Sequence, residues 1–487
     1  MIDSRWQPTL VLRPDGGVAG LGHAMRCVAL AEAWTTRGGQ AVLVTPTLPA
    51  WLEDRLRSRD IALVAAPAEP GSVEDLQQLI STAMDRRAHA VVIDGYRFGP
   101  DYQAGLLDSG WCVAVLDDYG SIGQYHADVV IDQNLGTEAR LYRDRPVRST
   151  LLLGSRYALV RSEFTQAAQP HRSGQPTRLL LALGGTPDRH SMELMDQVAE
   201  LLGNRFEIRQ STGGQVQDMA EAMRWADLAV TPAGSISWEL CLMGIPTLAF
   251  SVAHNQTRVR RELGIHEIAV DLGAAESLTA QAIADEVISL AENSTKRHAM
   301  TTQGRNLVDG KGPDRVVTAL RAKMLDLVVA GSGHEMLLFE WANDPLVRKW
   351  AFSDAPISWD EHRSWFARKT QGENSEIYIA VMGTHEIGQV RFDCAANHAV
   401  ISVTMSPRWR GKGLGGAMIN AATNRVVADR NLTEISAEIL AGNLASIRSF
   451  ESAEFQLHSR HDSRRGEVLT YRWAPVADST KQPEEAL

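Results

Sequence analysis

Arg13-Pro14-Asp15-Gly16-Gly17-Val18-Ala19-Gly20-Leu21-Gly22-His23-Ala24-Met25-Arg26-Cys27 is a glycine-punctuated turn that runs straight into a segment of helical length and composition, His23–Arg37. Glycine lets the backbone approach a ligand closely, and Gly20 and Gly22 stand just before that helix. The free N–H groups of a first helical turn form an anion site, and an imidazole placed there, His23, serves as base or hydrogen-bond donor near neutral pH. Taken alone, the same run also fits a plain turn with a structural histidine. Outward from it, Ala41–Val44, Ala90–Ile93, Cys112–Leu116 and Val129–Ile131 are short, branched apolar runs, with the helical stretch Val73–Met84 among them. Strand–helix alternation of this kind predicts βαβ units and a parallel sheet.

The polar stretch Gln166–Thr177, with Pro170, Gly174 and Pro176, reads as a linker. A second βα series follows, with strands expected at Arg178–Leu183, Phe206–Arg209, Leu228–Val230 and Thr247–Phe250 and a closing helix that reaches Leu325. Composition then changes: six of the 12 tryptophans lie beyond Gly331-Ser332-Gly333. Helical stretches around Leu337–Ala342 and Trp359–Lys369 precede three alternating runs, Ile377–Val381, Ile387–Asp393 and Ala399–Ser406. A helix from Leu414 and a strand at Glu434–Leu440 complete an α+β unit. The expected division is residues 1–165, 174–326 and 334–475, with a polar tail at 476–487.

The 487 residues carry 49 basic and 59 acidic side chains, a net charge of −10, which argues against broad nucleic-acid binding. Apolar runs fall short of the ~20 residues that cross a bilayer. Met1–Trp6 lacks the apolar core of an export signal. Cys27, Cys112, Cys241 and Cys394 are far apart, without CxxC spacing or a disulfide framework. A cytoplasmic enzyme working without nucleic acid, membrane or metal is the expectation.

The opening run resembles the UDP-sugar hydrolases of pseudaminic acid biosynthesis, relatives of glycosyltransferases with the GT-B fold. Arg13, Asp15, Gly20, Gly22, His23, Met25, Arg26 and Cys27 match, with Pro14 for the usual alanine and Gly17 for the usual serine. Further matches are Asp94-Gly95-Tyr96, Asp117-Asp118, His126-Ala127-Asp128, Gln133-Asn134 and Val308-Asp309-Gly310-Lys311-Gly312. The resemblance implies two Rossmann-like sheets in a GT-B arrangement and hydrolysis of UDP-2,4-diacetamido-2,4,6-trideoxy-β-L-altropyranose. It makes His23 the general base and puts Arg13, Asp15 and Tyr96 at the sugar. On the nucleotide side it implies Gly184 and Gly185, then Gly234 and Ser235 at the diphosphate, Glu239 at the ribose, and Asn255 and Gln256 at phosphate. Pro232 and Ala233 depart from the family's Ala-Gly. The structural alternative is a helix capped by Ser235 with Glu239 on a solvated face. A glycosyltransferase using an acceptor hydroxyl in place of water is the alternative reaction.

Arg408-Trp409-Arg410-Gly411-Lys412-Gly413-Leu414-Gly415-Gly416 follows a strand and opens a helix. Gly411, Gly413 and Gly416 satisfy GxGxxG, yet a meander rather than a βαβ unit precedes them. Arg410-x-x-Gly413-x-Gly415 resembles the pyrophosphate loop of the GNAT N-acetyltransferases. Asn443-Leu444-Ala445-Ser446-Ile447-Arg448-Ser449-Phe450 resembles their second coenzyme motif, and Trp341–Arg348 their acceptor side. The resemblance implies acetyl-CoA as cosubstrate, held by Met405, Arg410, Gly411, Lys412, Gly413, Leu414, Gly415, Gly416 and Asn443. It also implies acetylation of the 4-amine of a UDP-4-amino-4,6-dideoxy sugar. Phe450 stands where many members carry tyrosine, and Glu454 replaces the customary glycine. Trp341, Trp350, Trp359, Trp365 and Phe366 read mainly as core, with Trp359, His362 and Trp365 as acceptor-side candidates. A protein N-acetyltransferase or a coenzyme-binding regulatory unit is the alternative for this region.

Overall fold

The computed structural model describes residues 7–16, 21–46, 48–146, 149–167, 174–184, 188–211, 219–372 and 374–475. The chain divides into two compact units, Met1–Val317 and Thr318–Leu487. No helix among the described residues is long and apolar enough to cross a membrane.

The first unit holds two parallel sheets. The strands of the first are β1 (Thr9–Pro14), β2 (Gln40–Thr45), β3 (Ile61–Ala65), β4 (Ala88–Asp94), β5 (Cys112–Leu116), β6 (Val129–Asp132) and β7 (Thr150–Leu153), in the order β3-β2-β1-β4-β5-β6-β7. Leu10–Leu12 and Val91–Ile93 are fully buried, as continuous apolar runs are in a sheet covered on both faces. The second sheet has β8 (Arg178–Ala182), β9 (Glu207–Ser211), β10 (Leu228–Pro232), β11 (Thr247–Ser251) and β12 (Ala269–Ala274), ordered β12-β11-β10-β8-β9. Apolar cores line both of its faces, one built around Trp238 and Phe164, the other around Leu181 and Phe250.

Each order contains a reversal point, where consecutive crossovers leave to opposite sides: between β1 and β4 in the first sheet, between β8 and β10 in the second. Open α/β sheets leave a crevice beyond the carboxyl ends of the strands at such a point. Pro14 pairs with Asp94 at the first reversal. At the second, β8 ends at Ala182 and β10 at Pro232, so Gly184 and Gly234 stand just beyond the strand ends.

The second unit has one mixed sheet of β13 (Asp326–Val329), β14 (Ser375–Met382), β15 (His385–Ala395), β16 (His398–Met405), β17 (Glu434–Leu440), β18 (Gln456–Ser463) and β19 (Gly466–Trp473), ordered β13-β14-β15-β16-β17-β19-β18. All neighbours are antiparallel except β16 and β17. That parallel pair is bonded only from His398↔Glu434 to Val400↔Ser436, so the strands part towards Met405 and Leu440. The sheet begins earlier than residue 334. The helix expected to reach Leu325 ends at Ala322, and Asp326–Val329 becomes an edge strand against β14.

Candidate functional site

In the first unit, the helix Gly22–Thr36 starts directly beyond β1, and its one-turn spacing sets His23 and Arg26 on one face. That face meets the end of β4. His23 Nδ1 lies 2.5 Å from Asp94 Oδ1. Arg26 grips both oxygens of the same carboxylate, Nη2 to Oδ1 at 2.5 Å and Nε to Oδ2 at 3.0 Å. Its Nη1 donates to Asp118 Oδ1 at 3.0 Å. The Tyr96 hydroxyl donates to Asp118 Oδ2 at 2.7 Å, and Asn134 Nδ2 to Asp118 Oδ1 at 2.7 Å. The Tyr96 ring stands edge-on to His23, centroids 5.3 Å apart. Asn255 Nδ2, on the second sheet's side, donates to the Tyr96 hydroxyl at 2.9 Å.

Burial works against the Asp118 carboxylate, but the Arg26 guanidinium and the bonds from Tyr96 and Asn134 outweigh it and hold its pKa down at about 2. Burial, with Asp118 alongside, pushes the Tyr96 phenol up, so it stays protonated. Asp132, which also accepts from Asn134, is pushed up to about 6, chiefly by burial.

His23, Arg26, Tyr96 and Asp118 line a cavity of about 220 Å³ whose opposite wall includes Gly184, Gly234, Ser235, Asn255 and Gln256. Four helices begin at this cavity: Gly22–Thr36, Arg189–Leu202, Ile236–Met243 and His254–Ile265. Their N-termini bring partial positive charge to one place, which suits a diphosphate, although Ser237 N and Gln256 N are already bonded to the Gly234 and Ala253 carbonyls. The first turn of Arg189–Leu202 is partly satisfied by Asp188, which accepts from Ser191 N. Ser235 makes no side-chain capping bond, so its hydroxyl is not used as a cap. Neither Ala233 nor Gly234 adopts a positive φ, so alanine in place of glycine at 233 carries no backbone strain. A Cβ on Gly234 would meet nothing within 4 Å. Gln256 Oε1 accepts from Val252 N at 2.9 Å.

Three expected contacts lie elsewhere. Arg13 is fully buried, its Nε on Asp75 Oδ1 at 2.9 Å and its guanidinium over the Phe98 ring, so it braces the sheet rather than the sugar. Asp15 is also buried and packs against Gly95, where a Cβ would collide with it; burial pushes its carboxyl up. Neither lines the cavity. Glu239 lies neither at the cavity nor on a solvated face. Its Oε1 accepts from Arg161 Nη2 at 3.0 Å and Nε at 3.1 Å, a bond that ties the Ile236–Met243 helix to the crossover from the first sheet. Gly185, Gly17 and Gly20 lie outside the described residues. Asp117 accepts from Tyr125, Tyr142 and Gly120 N, a structural role for the first half of the Asp117-Asp118 pair. Among the described residues no group of three or more His, Cys, Asp or Glu side chains is placed to hold a metal ion.

In the second unit the helix Gly415–Arg430 opens beyond the parting of β16 and β17, after a loop in which Gly411 and Gly413 take φ of 74° and 69°. Those angles lie in the left-handed region that favours glycine, and the loop leads into the helix's first N–H groups. Gly415 and Gly416 serve a second purpose. A Cβ on either would run into Ser449 or Ser452 of the Leu444–Ser452 helix, so the two helices touch here at backbone distance. Leu414 is buried before the first turn, and Met405 ends β16 beside the gap. Arg321 Nη1 donates to the Lys412 carbonyl at 3.1 Å. Arg410 pairs with Asp344 at 2.8 Å, and that carboxylate also caps the Pro345–Trp350 helix. Asn443 caps Leu444–Ser452 through Ser446 N at 3.2 Å. Phe450 is buried edge-on against Phe455. Glu454 takes φ of 71°, the left-handed conformation for which glycine is customary at its position. Trp341 and Phe366 are core, and His362 Nε2 donates to the Glu335 carbonyl at 2.9 Å, stacked on Trp359, with its pKa lowered chiefly by burial.

Residues 329–456 match the family described as an acetyltransferase (GNAT) domain. The chain carries a GNAT domain. An uncharacterized protein of Methanocaldococcus jannaschii is 19% identical over 91% of this chain and 95% of its own length. The spore coat polysaccharide biosynthesis protein SpsG of Bacillus subtilis is 31% identical over 22% of this chain and 32% of that protein. The UDP-2,4-diacetamido-2,4,6-trideoxy-beta-L-altropyranose hydrolase of Campylobacter jejuni is 26% identical over 43% of this chain and 70% of that enzyme. The chain thus joins a distant likeness to a nucleotide-sugar hydrolase to an acetyltransferase domain.

Proposed function

We propose that the chain catalyses two reactions on one nucleotide-sugar route, with its first two sheets in a GT-B arrangement. The GNAT domain transfers acetyl from acetyl-CoA to the 4-amine of a UDP-4-amino-4,6-dideoxy sugar: the amine nitrogen bonds the acetyl carbon, the C–S bond breaks, and the amine proton leaves as coenzyme thiol forms. The cleft of the first unit then hydrolyses the diacetamido product. His23 takes a proton from water, the water oxygen attacks the anomeric carbon, and the bond to the β-phosphate oxygen breaks, releasing UDP. Helix N-termini stabilise the charge that develops on the departing diphosphate. Tyr96, Asn255 and Gly234 contact substrate.

The observation that carries this reading is the single cavity on which an imidazole bonded to a buried carboxylate and four helix N-termini converge. The acetylation half rests on the GNAT match and on glycines that hold the loop before Gly415 in left-handed turns. The test is to incubate the protein with acetyl-CoA and UDP-4-amino-4,6-dideoxy-N-acetyl-β-L-altrosamine while following thiol, UDP and sugar mass. Thiol appears first, then UDP and free diacetamido sugar, without any added acceptor. His23→Asn keeps thiol release and loses UDP release by at least ~100-fold. UDP release at the native rate from that variant removes His23 from the reaction, and UDP release only with an acceptor alcohol makes the cleft a glycosyltransferase.

A further inference from the structure

We propose that Arg26 is the positioning residue of the cleft, a clamp that fixes His23 as the tautomer protonated on Nδ1 and leaves Nε2 free to act as base. The proposal rests on the hydrolytic reading only for its kinetic consequence. The separation of 2.5 Å between His23 Nδ1 and Asp94 Oδ1 admits no arrangement in which both atoms present lone pairs, so a proton lies between them. Asp94 is fully buried and both of its oxygens accept from Arg26, which leaves it the acceptor and assigns that proton to the ring. Among the described residues, Nε2 has no hydrogen-bond partner, and His23 lines the cavity.

Without Arg26, Asp94 would lose the counter-charge that sits on both of its oxygens, and nothing else among the described residues would fix which nitrogen of the ring carries its proton. The guanidinium supplies that counter-charge. It can do so because its other arm is anchored: Nη1 bonds Asp118, whose second oxygen holds the Tyr96 hydroxyl. Arg26 Nη2 also lies 2.9 Å from His23 Nδ1, a contact in which Nδ1 accepts when Nε2 carries the ring proton, and this is the tautomer that the test below separates from the proposed one. One residue, a helical turn from His23, therefore sets the imidazole through Asp94 and the phenol beside it through Asp118. Lysine cannot replace it, because a single ammonium cannot span two carboxylates with a planar fork.

The test uses the full chain labelled with ¹⁵N-histidine, the His23 signals being those that vanish in His23→Asn. The native protein is expected to show one neutral tautomer, with a protonated Nδ1 and an unprotonated Nε2. In Arg26→Gln that signature gives way to mixed tautomers or a cationic ring, and kcat for UDP release falls about 100-fold while KM moves within about threefold. Arg26→Lys, which keeps the charge and serves if the first variant does not fold, is expected to lose the single tautomer as well. A native His23 protonated on Nε2, or either variant retaining the native signature, overturns the proposal whatever the rates. The spectra require no turnover, so a chain that releases no UDP but shows the expected tautomer refutes the hydrolytic reading alone.

Discussion

Asp118 shows how far a charge can be held against burial. Its pKa in the fold, about 2, lies below the ordinary 3.8, with Arg26, Tyr96 and Asn134 overcoming the desolvation. A depressed carboxyl stabilises the folded state above its unfolded pKa and ceases to do so as pH falls through the folded value, so the window is about pH 4 down to 2. The contribution is roughly 2 kcal/mol. Unfolding measured for the native chain and for Asp118→Asn from pH 6 towards 2 should show the native advantage narrowing by about that amount. A constant difference would mean that Asp118 has no such coupling. The sequence made His23 legible because glycines and a helix start flank it. It could not show the partners, since Asp94 is 71 positions away and Asp118 is 92 from Arg26. Glu239 shows the same limit: its spacing from Gly234 suggests a ribose contact, while Arg161, which donates to it here, lies 78 positions back. Arg13 belongs to the same motif as His23, yet motif membership carries no information on which side of the strand a side chain falls.

Elements were legible where burial on both faces writes a continuous apolar run, as in β4 and β5, or where burial alternates, as in β16 and β17. β18 was not, because nearly all of Gln456–Ser463 is exposed at the sheet edge and its residues follow neither pattern; pairing with β19 alone makes it a strand. β13 was hidden by its nearness to the preceding helix. The glycines opening the Gly415–Arg430 helix read as a phosphate loop, and the structure divides them by purpose: Gly411 and Gly413 for their φ, Gly415 and Gly416 for helix contact. The division is testable. Gly416→Ala should destabilise the GNAT domain by about 1–3 kcal/mol, since the new methyl meets Ser452 Oγ and the Ser449 carbonyl, and adding Ser452→Ala should restore only part of the loss. Thermal unfolding of the two variants is the measurement, and an unchanged midpoint for Gly416→Ala would show the helices are free to separate.

At the scale of the whole chain, the proposal assigns two different ligand chemistries to two compact units, so each ligand should report on its own unit. Scanning calorimetry of the intact protein is expected to resolve two transitions. A ligand that binds only the folded form stabilises it by RT ln(1 + [L]/Kd), about 2.7 kcal/mol at a hundredfold excess over Kd. Acetyl-CoA should therefore raise the transition of the unit that begins at Thr318, and UDP that of the unit ending at Val317. His23→Asn should leave the UDP effect in place, because the imidazole is assigned to water rather than to the nucleotide. Arg410→Ala should weaken the acetyl-CoA effect, and here the sign distinguishes two roles for the residue. If Arg410 serves only to hold Asp344 at the Pro345–Trp350 helix, its loss lowers the midpoint without ligand and leaves the ligand increment intact. If it also meets the pyrophosphate, the increment itself shrinks. A single transition, or one moved equally by both ligands, would instead make the chain one cooperative body and remove the basis for assigning each chemistry to its own unit.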